Sequence, residues 1–451
     1  MVVAMARHSL SEKEVAIFLN RLPGDERLLR KIKDAGEEIA GFYGFEKVGI
    51  PTMDEARLYT PLFKAGFFGQ RNPLFAKMST GHEVVVGFPA VFSAIRAYHS
   101  PEFRGGPYPV KIRFDGRACW TPGGGVIAER DEWGLLMVGE EGPVAEAEIV
   151  YVLWKAIEKG AGLDDCEVMV NAVGCKECRS HFRSVFMTYA RGRIAKLCRS
   201  CVRDLKTNPM KILRCAEEKC RMTLHNTPQV LDYICDPCKK HLRGFLEFLD
   251  ELSVPYFLDQ TLFIDGAWMN EFVFEIVSRA DSVSGVKRAE GSAQIQEKEC
   301  TPVTGSRVVL AEGGRVSQAG NVLTGVPMEA ASGTLWLDAI VAHAVAHGVV
   351  AREKKPPHVF VAQLGELAKR KSFAILEILR DAGFTAQESL GRDSIKSQLN
   401  VAERVGASVA LIVGQKEALD GTVIVRELSS GVQETVPQEK LVEFLKKKVK
   451  K

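Results

Sequence analysis

Residues 358–451 read HVFVAQLGELAKRKSFAILEILRDAGFTAQESLGRDSIKSQLNVAERVGASVALIVGQKEALDGTVIVRELSSGVQETVPQEKLVEFLKKKVKK. Apolar runs suited to strands (HVFVA, SVALIV, TVIVREL) alternate with segments of helical period. That alternation predicts a small α/β layer fold built from crossover units. On the first helix, Leu367, Ala374, Ile375, Ile378, Leu379 and Ala382 fall on one face, with Lys369, Arg370, Lys371 and Glu377 mainly on the other. Asp381-Ala382-Gly383 closes it, because glycine takes the left-handed conformation after a helix end without strain. Asp393 or Ser394 caps a second helix beginning near Ile395.

Three pieces of this stretch, VFVAQLGELAKR, GRDSIKSQLNVAERVGASVALIVG and ETVPQEKLVEFLKK, resemble the C-terminal anticodon-binding domain of histidyl-tRNA synthetases, which are class II enzymes. The resemblance implies tRNA as a partner, tRNA-His by analogy. Ligands of open α/β sheets sit beyond the carboxyl ends of strands and at helix starts. That placement selects Gln363, Glu366, Arg392, Ser394, Lys396 and Gln398 as candidate RNA contacts. A plain N-cap at Ser394 and a solvated helix face at Lys396 are the competing readings.

Upstream, the scaffold of the same family is legible. DERLLRKIKDAGEEIAGFYGF followed by EKVGIPTM resembles the helix and strand of motif 1, which builds the dimer interface of class II synthetases and so implies a homodimer. Residues 107–139, PYPVKIRFDGRACWTPGGGVIAERDEWGLLMVG, stand where motif 2 forms a hairpin. GPVAEAEIVYVLWKAIEKGAG and GLDDCEVMVNAVG continue as helix and strand. The expected whole is an α+β synthetase-like core, an antiparallel sheet with helices, over residues 1–343. A cysteine-rich insertion at 171–255 interrupts it, a linker follows at 344–357, and the α/β domain closes the chain at 358–451.

The charged groups that family chemistry needs are missing at four places. The stretch resembling LRPEGTAPVARAY keeps Arg96-Ala97-Tyr98, but the family arginine falls on Gly87 and its glutamate on Pro89. The motif 2 arginine, which grips the α-phosphate of ATP, falls on Trp120; Arg130 is a plausible loop arginine, and Arg113 and Arg117 lie nearby. In the segment resembling LVRGLDYYTRTVFE, the catalytic arginine falls on Ile264 and the paired tyrosines on Trp268 and Met269, with Asp265 a displaced aspartate. Gly313-Gly314-Arg315 preserves the start of motif 3, yet no arginine occurs between Arg315 and Arg352. Adenylate formation needs preorganised positive groups against phosphate charge. Arg130 and Arg315 are then the remnants of a catalytic set, and ATP and magnesium, which the resemblance implies, lose their holders. Whether the chain is an enzyme stays open between three readings. One is a tRNA-binding pseudoenzyme, the second an authentic divergent histidine–tRNA ligase, and the third a non-catalytic regulatory subunit of another enzyme.

Eleven cysteines in a chain of 451 residues, eight of them at 175/178, 198/201, 215/220 and 235/238, point to metal rather than disulfides. Zinc takes four soft ligands in tetrahedral geometry, and Cys-x-x-Cys supplies two from one turn. The stretch, with its NPMKIL element and the pairs at 198/201 and 235/238, resembles that of many histidyl-tRNA synthetases, and the resemblance puts Cys198, Cys201, Cys235 and Cys238 first as ligands, then Cys215 and Cys220, then Cys175 and Cys178. The zinc is expected to be structural. His343 and His347, at i and i+4, are read as ordinary core or surface histidines. A net charge of +3 does not by itself announce a nucleic-acid binder. Without an apolar run of about 18 residues or a secretory h-region, a cytoplasmic protein without membrane contact is expected.

Overall fold

The computed structural model describes residues 21, 23–67, 72–103, 108–123, 126–263, 269–279, 307–349, 356–389, 391 and 394–448. The chain divides into two compact units, Met1–Ala351 and Arg352–Lys451. Among the described residues no helix is long and apolar enough to cross a membrane.

The first unit is built on an eleven-stranded sheet. Its strands are β1 (Glu46–Gly49), β2 (Met53–Glu55), β3 (Asn72–Lys77), β4 (Glu83–Val86), β5 (Val110–Gly123), β6 (Val126–Val138), β7 (Glu167–Gly174), β8 (Tyr256–Leu258), β9 (Asn270–Arg279), β10 (Arg307–Arg315) and β11 (Ala330–Trp336). They pair in the order β2-β4-β3-β5-β6-β11-β10-β9-β7-β8, with β1 alongside β5. All central pairings are antiparallel. One face of the centre, with Leu135, Leu335 and Phe274, packs on Ile149 and Leu153 of the helix Val144–Ala156. That helix is apolar nearly all round, so it is buried nearly all round. Gly36 lets the helix Pro23–Phe42 close onto Trp133, since a Cβ there would stand 2.9 Å from the indole.

The cysteine-rich segment leaves the sheet after Gly174, not at 171. Asn171 and Ala172 pair with β9, and the chain rejoins the sheet at Tyr256 beside β7. At the other end of the unit, the helix Leu337–Ala346 runs past residue 343, the expected end of the core.

The second unit is a five-stranded sheet, β12 (Val359–Gln363), β13 (Ala386–Glu388), β14 (Val409–Val413), β15 (Thr422–Glu427) and β16 (Gln433–Pro437), in the order β13-β12-β14-β15-β16. The first three strands are parallel and joined by the crossover helices Glu366–Asp381 and Ile395–Arg404. Phe360 and Ala362 face Ala402, while Val359 and Val361 face Ile375 and Leu379. Strands covered on both sides read as unbroken apolar runs, which is why HVFVA was legible. The stripe on Glu366–Asp381 is rotated from the expected one. Ala368, Ser372, Ile375 and Leu379 are buried, and Ala374 and Ile378 are exposed. Small residues at 368 and 372 let the helix approach the sheet closely. Gly383 has φ +77°, as expected for a helix stop.

Candidate functional site

Alternation along the strands places Arg130 and Glu132 of β6, Trp336 of β11, Glu312 of β10 and Glu275 of β9 on the face of the core sheet opposite the Val144–Ala156 helix. Glu132 stands opposite Trp336 in the ladder, and Glu312 opposite Glu275. The Arg130 guanidinium lies 4.1 Å from the ring centre of Trp336 and 5.5 Å from that of Trp120. Its Nη2 donates to Glu132 Oε1 at 2.8 Å and stands 3.5 Å from Glu312 Oε1. The second oxygen of Glu132 accepts the backbone N–H of Ala90, first residue of the helix Ala90–Tyr98, at 3.1 Å. Glu275 takes both terminal nitrogens of Arg214 at 2.7 Å. Three buried carboxylates thus cross the sheet, and arginine side chains answer them.

The two arginines just before Trp120 are engaged elsewhere. Arg113 donates to the carbonyl of Phe45. Arg117 pairs with Asp131, whose backbone N–H donates to Asp338. Burial works against charge on Asp131, but Arg117 and Arg21 together hold its carboxyl below the usual range. Gly87 cannot carry a side chain here. Its φ is +57°, and a Cβ would stand 2.5 Å from Cys119 Sγ and 2.9 Å from the carbonyl of Arg117. Pro89 stands at the N-cap position of the helix Ala90–Tyr98 and makes no side-chain cap bond. Met269 is core, packed in the cluster that holds Phe88 and Phe92. Ile264, Asp265, Trp268 and Arg392 lie outside the described residues.

Arg315, expected as a catalytic remnant, is a buried structural pin. It is 0% exposed and donates to Glu146, Glu329 and the carbonyls of Glu140, Glu141 and Gly142. Glu146 also pairs with His241 Nε2 at 3.0 Å.

In the second unit the six expected RNA contacts divide. Gln363 and Gln398 are buried and hold each other: Gln363 N–H donates to Gln398 Oε1 at 3.0 Å, and Gln398 Nε2 donates to the Gln363 carbonyl at 2.7 Å. Neither faces solvent, because this pair locks β12 to the helix Ile395–Arg404. Glu366, Ser394 and Lys396 are exposed. Ser394 is also the N-cap, accepting from Ser397 N–H at 3.2 Å.

The cysteines gather in two groups, but not in the order expected. Cys175, Cys178, Cys235 and Cys238 form one, and Cys198, Cys201, Cys215 and Cys220 the other, each with its sulfurs within 4.8 Å of one another. The set Cys198, Cys201, Cys235 and Cys238 is therefore split between them. In the first group Cys175 N–H donates to Cys238 Sγ at 3.4 Å, and Cys235 N–H to Cys178 Sγ at 3.1 Å. In the second, Cys198 N–H donates to Cys220 Sγ at 3.1 Å and Cys201 N–H to Cys198 Sγ at 3.4 Å. Sulfurs at 3.5 Å (Cys175 to Cys178 and Cys235 to Cys238) or 3.9 Å (Cys198 to Cys215) are too far apart for disulfides. They match the ~3.8 Å edge of a tetrahedron with ~2.3 Å metal–sulfur bonds. Both groups could hold a metal ion.

The second unit matches the model of the anticodon binding domain over residues 358–448. A histidine–tRNA ligase of Caldicellulosiruptor bescii is 27% identical over 438 residues, covering 95% of this chain and 97% of that protein. The chain is similar to histidine–tRNA ligases along nearly its whole length. Its fold is the class II synthetase core followed by the anticodon-binding domain. The apo histidyl-tRNA synthetase of S. aureus superposes with a TM-score of 0.71 at 20% identity, over 95% of this chain and 98% of that one. A Bacillus halodurans structure titled as an ATP phosphoribosyltransferase regulatory subunit/histidyl-tRNA synthetase gives 0.58 at 14% identity, over 90% and 99%.

The sequence reading missed two features. One is the row of Glu132, Glu312 and Glu275. The alternation in Arg130-Asp131-Glu132 signals its β6 part, but the three strands meet only in the fold. The other is a cluster of Asp165, His343 and His347. There the Ser278 hydroxyl lies 2.9 Å from Asp165 Oδ2 and 2.7 Å from His343 Nε2, while His347 Nδ1 lies 2.9 Å from the His343 carbonyl.

Proposed function

We propose that this chain binds tRNA, or an RNA of similar build, through residues 358–451 and no longer activates histidine with ATP. The observation that carries the second half is the placement of Arg130 over the rings of Trp336 and Trp120. Trp120 stands where the resemblance puts the phosphate-gripping arginine. Arg130 is partnered by Glu132 and Glu312, so little of its positive potential is left for a triphosphate. Gly87, with no room for a side chain, supports the same conclusion. ATP and magnesium have no place in this reading. Zinc in the cysteine-rich insertion is structural, since each group supplies four protein ligands and leaves no open position. The chain is a homodimer of the cytoplasm. Exposed Phe42 and Met53, at the helix and strands resembling motif 1, support the dimer.

A second reading keeps its own support: similarity to a named histidine–tRNA ligase along 95% of the chain favours an authentic ligase. The regulatory-subunit reading has weaker ground, because such subunits of this family generally lack the anticodon-binding domain present here.

Histidine-dependent ATP–pyrophosphate exchange decides between the first two. The proposal expects none, and a clear histidine-dependent signal establishes the ligase. Filter binding of tRNA-His and an unrelated tRNA at one fixed salt concentration tests the RNA half.

A further inference from the structure

The insertion's two thiolate groups are nested in the sequence, one enclosing the other. We propose that the insertion binds two zinc ions in separate sites. Cys175, Cys178, Cys235 and Cys238 form an outer clasp, and Cys198, Cys201, Cys215 and Cys220 an inner site held within the loop the clasp closes. This rests on reading the insertion as a zinc module.

Three observations carry it. Each group reaches four ligands without borrowing from the other, and each is compact enough for a single ion. A cluster of several irons holds its thiolates farther apart than one ion does. The second observation is the built surroundings of the sulfurs. The outer site has reciprocal N–H to sulfur bonds, Cys175 to Cys238 and Cys235 to Cys178, which tie its halves together across 63 and 57 positions of chain. Such backbone donors stabilise thiolate charge around a metal. Cys175 and Cys235 are the N-caps of the helices Lys176–Arg191 and Asp236–Glu251, so two helix starts converge on the outer sulfurs. The inner site has its own donors from Cys198 and Cys201, and it closes a loop of only 17 to 22 positions.

The third observation is where each site is anchored. The outer clasp begins one residue after β7 ends, at Cys175, so it fastens the root of the insertion to the core sheet. The inner site is fastened separately. Arg214, the residue before Cys215, makes the two-point contact with Glu275 on β9. The inner ion therefore has a foothold on the core that does not pass through the outer clasp. Loss of one ion should leave the other bound.

Metal analysis of the full chain, purified without chelator, tests this. Two zinc ions per chain are expected, one in C235S/C238S and one in C215S/C220S. Combining C198S/C201S with C235S/C238S should leave none, whereas a site built from those four cysteines together would leave one. Cobalt titration of the unaltered chain supplies a count that no variant's misfolding can spoil. Thiolate-to-cobalt absorption should saturate at two equivalents. No zinc in the unaltered chain and no such absorption overturn the zinc reading itself. One zinc per chain, loss of both ions in either double variant, or one ion surviving in the fourfold variant overturns the nested arrangement alone.

Discussion

The guanidinium of Arg130 lies 4.1 Å from the ring centre of Trp336, on the sheet face where Glu132 and Glu312 are both nearly inaccessible. The arginine is the shared counter-charge of those two carboxylates. Arg130→Ala removes that counter-charge, and removing one partner of a buried pair costs about 3–5 kcal/mol. Trp336→Ala keeps the pairs and loses the ring contact, worth roughly 0.5–2 kcal/mol, plus buried area. Urea unfolding should rank the two variants in that order.

Restoring the family's arginine at position 87 should harm the protein rather than revive it. A Cβ there meets Cys119 Sγ at 2.5 Å, on a backbone with φ +57°. Overpacking costs about 1–3 kcal/mol, and the strained backbone adds to it. Gly87→Arg should lower the melting temperature with no histidine-dependent pyrophosphate exchange. An unchanged melting temperature argues against the tight packing described for this turn.

Arg315→Met should be among the most destabilising changes in the core, by about 3–5 kcal/mol, because Glu146 is left buried without its guanidinium. The pH dependence has a definite sign. Burial works against the Glu146 carboxylate, but the hydrogen bond from His241 and the charge of Arg315 outweigh it and hold its pKa below the ordinary 4.5. The unfolded chain then binds more protons in the window below 4.5, so this stabilisation is complete above it and is lost as pH falls through the folded value. Denaturant midpoints from pH 6 to pH 3 should show a drop that is reduced in Glu146→Gln.

His343 sets a second acid limit at higher pH. Burial first, then the neighbouring His347, lowers its pKa from 6.5. Below 6.5 the unfolded state takes up the proton sooner, so stability declines as pH falls from 6.5 toward the folded value and levels off beneath it. His343→Asn should flatten that segment of the curve. An identical slope in the variant assigns the decline to other groups.

Lys396 and Gln398, two positions apart on one helix, should behave oppositely. Gln398→Ala breaks both bonds to the Gln363 backbone and should cost about 1–3 kcal/mol. Lys396→Ala should leave stability within about 0.5 kcal/mol. It should instead weaken tRNA binding and reduce the salt slope by about 1. No change in tRNA affinity would remove Lys396 from the interface.

The resemblance and the order of the elements were legible in the sequence for local reasons. Strands covered on both faces show as apolar runs such as Val359–Gln363. Ser394 caps where an N-cap oxygen meets free N–H groups, and Gly383 stops its helix with a positive φ. The absent arginine at 120 is likewise a fact of sequence, as is the pairing of cysteines two by two, because a single turn of chain brings Cys-x-x-Cys together. What needed the tertiary structure was every relation between distant segments. Arg315 looked like a catalytic remnant because motif position says nothing about burial. Its five contacts arise from segments more than a hundred residues away, apart from Glu329. Gln363 and Gln398 sat where ligands usually bind, yet helix packing buried both and set the Gln398 side chain on the Gln363 backbone. The cysteine pairs are combined across the insertion by the packing of helix starts, which divides the expected set of Cys198, Cys201, Cys235 and Cys238 between two groups. Sequence alone determined which chemistry each turn can offer. Only the fold decided which turns meet, because long-range contact depends on packing between elements, and local spacing carries no record of it.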